Sequence, residues 1–131
     1  MRGAVVSAEV WLAPRFLESR NEITEKELRK VACSYLSKEK EDLDPLLDIL
    51  ANAGIVESAH PDEDDSRIAV YLKTSSGAVI VLLLGTEFPN APSLGKYNGI
   101  TPVAAREGFY DDLRIWAVRR KSTKRKASCD K

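Results

Sequence analysis

A chain of 131 residues, 44% apolar and 31% charged, has the length of one domain and the composition of a globular one. Its longest uninterrupted apolar run, Ala78–Leu84, is seven residues, far short of the roughly 20 that a membrane helix needs, so no membrane partner is expected. Twenty basic and twenty acidic side chains cancel, but unevenly: residues 119–131 carry seven cations against Asp130, a net +6, residues 1–118 hold −6, and residues 37–65 alone set ten carboxylates against Lys38 and Lys40.

The amino-terminal stretch holds Arg2 and a short apolar patch broken by Glu9, a poor signal peptide. Two cysteines, Cys33 and Cys129, make neither a disulfide framework nor a zinc site by themselves. A reduced, cytoplasmic protein is therefore expected. Over residues 5–18, Val10, Ala13 or Pro14, and Leu17 fall near helical spacing, while Pro14 opposes an unbroken helix. A short helix and an irregular apolar arm are both compatible with this stretch. Residues 24–37 predict a helix: Thr24 and Glu27 stand at capping-box spacing, and Leu28, Val31, Ala32, Tyr35 and Leu36 form one stripe, with Cys33 beside it as core filler.

Asp44-Pro45 is a second helix start, with Leu46, Leu47, Ile49, Leu50 and Ala53 on the buried face and Gly54 as the stop. The charged segment before it lacks glycine, so a helix could extend into it. Ile55-Val56 reads as a short strand. Arg67–Thr74 alternates as a strand, Ser75-Ser76-Gly77 can turn, and Ala78–Leu84 is a second strand without alternation. Residues 85–101, with three glycines and two prolines, read as a loop. Thr101-Pro102 can open a last helix through Val103, Phe109 or Tyr110, Leu113, Trp116 and Ala117; Leu113–Val118 also fits a strand. The expected organisation is α+β: one domain over residues 1–118, with two or three helices on a small antiparallel hairpin or sheet, and a basic tail over 119–131 that should be mobile unless bound.

Thr24-Glu25-Lys26-Glu27-Leu28, the spaced Leu46 and Leu50 before Gly54-Ile55-Val56, and the acidic turn Asp62, Asp64, Asp65 leading to Arg67 together resemble the MarR-type winged-helix family over about residues 22–77. The resemblance implies a winged helix-turn-helix core, a recognition helix in the major groove, and Arg67 as a wing arginine reaching the minor groove. Charge departs from that pattern. The approach to the recognition helix sets Lys38 and Lys40 against Glu39, Glu41, Asp42 and Asp44, and the wing tip adds Asp62–Asp65. Phosphate binding needs cations in those places.

Little in the sequence points to catalysis or cofactors. His60 is the only histidine, next to Pro61 in an acidic turn, and reads as a solvated loop residue. The carboxylates at 62–65 lack the glycine and spacing of a calcium loop, and Gly95-Lys96 does not complete a phosphate-binding loop. Phe109, Tyr110, Trp116 and Tyr97 could stack on bases only if exposed together. No enzyme activity, metal or cofactor is expected. The leading expectation is a nucleic-acid-associated protein, on DNA or RNA, contacting phosphates through Arg119, Arg120, Lys121, Lys124, Arg125 and Lys126, assisted by Arg67 and Lys73. The alternative is a protein-interaction subunit docking through the acidic 37–65 face. A second copy of the chain is a further candidate partner, giving a homodimer.

Overall fold

The computed structural model describes residues 5–13, 25–57, 67–85, 93–98 and 101–119. The first apolar stretch is a strand, β1 (Val5–Leu12), rather than a helix or arm. Period two decides it: Ala8, Val10 and Leu12 are buried on one face, while Glu9 and Trp11 are half-buried on the other. Helix α1 (Glu25–Val31) follows, with carboxylates in its first turn and Arg29 and Lys30 in its last, both favourable to the helix dipole. It stops seven residues into the predicted helix, and Cys33–Ser37 becomes strand β2. Pairing of Cys33–Ser37 with Ala8–Leu12 of β1 satisfies the backbone there, and alternation buries Cys33, Tyr35 and Ser37 while Leu36 faces outward. Cys33 does belong to the core cluster, but it is disulfide-bonded rather than the reduced thiol expected.

Helix α2 (Lys40–Ala51) begins four residues before the predicted start, so Pro45 lies inside it rather than in its first turn. The Leu43 amide bonds the Glu39 carbonyl at 2.9 Å, closing that first turn without a side-chain cap. Gly54, at φ +61, turns the chain beyond the helix. Two-residue β3 (Val56–Glu57) then leads to the predicted hairpin, β4 (Ile68–Thr74) and β5 (Val79–Leu84), which closes through Gly77 at φ +91. The predicted loop 85–101 contains β6 (Ser93–Tyr97), and the predicted helix start at Thr101 is instead β7 (Thr101–Ala105). Helix α3 (Phe109–Arg119) starts only after Gly108.

The fold is α+β, with a seven-stranded antiparallel sheet in the order β2-β1-β4-β5-β6-β7-β3 in place of the small hairpin expected. β3 pairs with β7 at the far edge, not with the β4–β5 hairpin. β2 lies between α1 and α2, so the two helices of the expected helix-turn-helix are not joined by a turn. On one sheet face, Val10, Leu12, Ile68, Val70, Leu82, Leu84 and Val103 pack against Leu43 and Leu46 of α2 and Phe109, Leu113 and Trp116 of α3. On the other, α1 presses Leu28 against Ala13 and Ala69, with Trp11, Tyr71 and Leu83 at the margin.

Candidate interaction surface

Of the cations singled out in the sequence, three lie among the described residues, and these three do not share a face. Arg67, just before β4, and Lys73, near its end, share the parity of Ala69 and Tyr71 and so belong to the α1 side of the sheet. Six residues of strand put them roughly 20 Å apart. Arg119 ends α3 on the opposite side. Arg120, Lys121, Lys124, Arg125 and Lys126 lie outside the described residues, as do His60 and the carboxylates at 62–65. The aromatic residues do not form a stacking platform: Phe109, Tyr110 and Trp116 are buried, and only Tyr97 is exposed.

The arrangement that does form is a groove between α2 and α3. The two helices run antiparallel, held at both ends. At one end the Trp116 indole Nε1 donates to the Asp42 carbonyl at 2.8 Å. At the other, Arg106 Nε donates to the Asn52 carbonyl at 2.6 Å, and its Nη2 meets Asp112 at 2.9 Å. A guanidinium on the C-terminal carbonyls of α2 suits the negative end of that helix. The stripe Phe109, Leu113, Trp116 and Ala117 turns α3 onto the sheet, which leaves Ile115 and Val118 outward, each about half exposed. Between the helices lies a cavity of about 520 Å³. Its lining joins the apolar Pro45, Ile49, Ile115 and Trp116 to the exposed Glu41 and Asp48, the half-buried Asp112 and the buried Asp42, with Arg119 at one end. Formal charge on this lining is −3 from four carboxylates and one guanidinium, of which Asp112 is already paired with Arg106 and Asp42 is buried, so Glu41 and Asp48 are the carboxylates that face solvent. A larger cavity of about 600 Å³ at Val5, Leu43 and Leu47 has a mixed rim of Lys38, Lys40 and Asp44, and so lacks that polarity.

A second polar cluster lies under α1. The Arg29 guanidinium sits 5.3 Å from the Tyr71 ring and 6.0 Å from the Trp11 ring, within cation–π range. The Tyr71 hydroxyl donates to the Glu25 carboxylate, and the Trp11 indole to Glu9. Hydrogen bonding with Tyr71, then that group's charge, raises Arg29 above its ordinary value. Burial, then the hydrogen bond to Glu25, raises the Tyr71 phenol. Lys73 borders the adjoining cavity of about 300 Å³ with Ser7, Leu36 and Val79. These groups bond chiefly to one another, and the cluster works as a latch holding α1 to the sheet.

The acidic side of the groove was legible in the sequence as part of the 37–65 block. Its α3 side was not, although Ile115, an apolar residue off the helix stripe, was a signal. Among the described residues no group of three or more His, Cys, Asp or Glu side chains is placed to hold a metal ion, and no helix is long and apolar enough to cross a membrane. The chain matches no family model, no curated protein and no solved structure.

Proposed function

We propose that this chain is a non-catalytic binding domain that docks a basic segment of a partner protein in the α2–α3 groove. The observation that carries the reading is a lining that sets the apolar Pro45, Ile49 and Ile115 beside the exposed carboxylates Glu41 and Asp48. Apolar contact supplies affinity in such a groove, while charge selects the partner and speeds its arrival. The test uses the full chain and a synthetic octapeptide of alternating lysine and leucine, titrated by calorimetry. Reversing the rim with Glu41→Lys and Asp48→Lys should weaken binding about tenfold or more, and binding should fade as salt rises. Affinity indifferent to both reversal and salt would refute the proposal.

The seven cations after Val118 favour a second reading, phosphate contact by Arg119–Lys126 on a nucleic acid. Within it, Arg67 would take the role that the winged-helix resemblance implies, on the face away from Arg119. Fluorescence anisotropy of a labelled single-stranded oligonucleotide tests it. Replacing Arg120, Lys121, Lys124, Arg125 and Lys126 by Gln should abolish a salt-dependent signal; an unchanged signal sinks the arm.

A further inference from the structure

The cavity of about 600 Å³ at the start of β1 lies on a different flank of α2 from the groove: Lys40, Leu43, Asp44 and Leu47 line the one, Glu41, Pro45 and Asp48 the other. We infer that this cavity binds a small aliphatic carboxylate, its chain against Val5, Val6, Leu43 and Leu47 and its head group held by Lys38 and Lys40. The inference stands apart from the reading of the α2–α3 groove and shares no residue with it.

A bulge in β1 makes the apolar part. Val5 pairs with Thr74 and Ser7 with Lys73, so two steps of β1 oppose one step of β4, and Val6 is the extra residue. In a regular strand Val5 and Val6 would point to opposite faces. Here Val5 stands opposite Thr74, in parity with the buried Val70 and Leu72, while Val6 keeps the parity of Ala8 and Val10. Both valines therefore line the α2 side, where Val6 is left 43% exposed. From the helix, Lys40, Leu43, Asp44 and Leu47 follow at i, i+3, i+4 and i+7 and form one line facing them.

The polar part is graded along the same line. Leu43 is buried, Val5 and Leu47 are half-buried, and both lysines are exposed, so apolar depth gives way to a cationic mouth. Lys38 comes from the other side, just past the end of β2, whose Ser37 pairs with Ala8 of β1. Asp44 stands one helical turn from Lys40, yet among the described residues neither lysine side chain makes an ion pair or hydrogen bond. Two lysines and one aspartate give the lining a formal charge of +1. That balances a monoanion; a doubly charged head group would leave negative charge in excess beside Asp44. The volume lies within the usual range for a small-molecule site, about 300–1,000 Å³.

The experiment titrates the full chain with sodium octanoate and follows the amide resonances of Val6, Leu43 and Leu47. We expect saturable shifts there. Each methylene removed should weaken binding about fourfold, so hexanoate should bind about fifteenfold more weakly. Octylamine, with the same chain and the opposite charge, should not shift these resonances. Lys38→Gln with Lys40→Gln should weaken octanoate about tenfold without altering the melting temperature, because both side chains are exposed. Val6→Ser should weaken it about fivefold. Octylamine binding as well as octanoate, or full affinity in the doubly neutralised chain, would overturn the carboxylate site. So would the absence of any shift at about 10 mM octanoate, or shifts confined to Ile115 and Trp116, which would place the ligand in the α2–α3 groove instead.

Discussion

Gly95 sits in β6 opposite Leu84 of β5, and a side chain there has no room. An added Cβ would lie 1.7 Å from the Leu83 carbonyl oxygen, 2.7 Å from its carbon and 2.8 Å from the Leu84 Cα. All three are backbone atoms, so no rotamer change relieves the clash. Restoring an ordinary contact requires β5 and β6 to part by about 1.5 Å, on the scale of the hydrogen bonds themselves. Overpacking costs about 1–3 kcal/mol, and each ladder bond weakened adds about 1 kcal/mol. Gly95→Ala should therefore destabilise the protein by about 3–4 kcal/mol. In urea, with a slope of about 1.5–2 kcal/mol per molar, the midpoint should fall by about 2 M. The damage should also spread, because β6 joins β7, and β7 leads into α3. A midpoint shift under about 0.3 M with unchanged slope would show that the close approach of β5 and β6 does not exist.

Two further outcomes follow from particular contacts. Trp116→Phe removes the indole donor from the buried Asp42 carbonyl and leaves space at the α2–α3 seam; the expected loss is about 2 kcal/mol, seen as a melting temperature lower by about 7 °C, and an unaltered melt would deny that contact its role. Tyr71 has a raised phenol pKa in the folded chain, so its contribution is fully present below the unfolded value of 10.0 and is lost as pH rises through the folded value. Urea midpoints taken from about pH 8 to about pH 11 should fall more steeply for the natural chain than for Tyr71→Phe; parallel curves would contradict the assignment.

The β4–β5 hairpin was readable from local sequence because its signals agree. Ile68, Val70 and Leu72 alternate, and Gly77 supplies the positive φ the turn uses. The body of α2 was readable for the same reason, though its start was not: Asp44-Pro45 carries a strong local start signal, yet the preceding Lys40–Leu43 turn closes through backbone bonds alone. Residues 33–37 show how two periods compete. Tyr35 and Leu36 continue the helical stripe of Leu28 and Ala32, but Cys33, Tyr35 and Ser37 also alternate, and only the partner strand β1 selects between them. For β6 and β7, Gly95 and Pro102 are loop signals locally, and the pairing that makes them strands comes from each other and from β5.

From the sequence alone came the class of the molecule, the hairpin at its centre, and the opposed charges of the 37–65 block and the segment after Val118. Composition and short-range periodicity suffice for these, because each depends on residues that are neighbours along the chain. The seven-strand order, the placing of Lys73 and Arg119 on opposite sides, and the groove depended on tertiary structure. Each of those joins segments distant in sequence: β1 sits between β2 and β4, and Asp42 meets Trp116 across 74 positions. Such contacts form only when burial of the shared apolar face outweighs the entropy of closing long loops, a balance struck by the whole core and written in no single stretch of it.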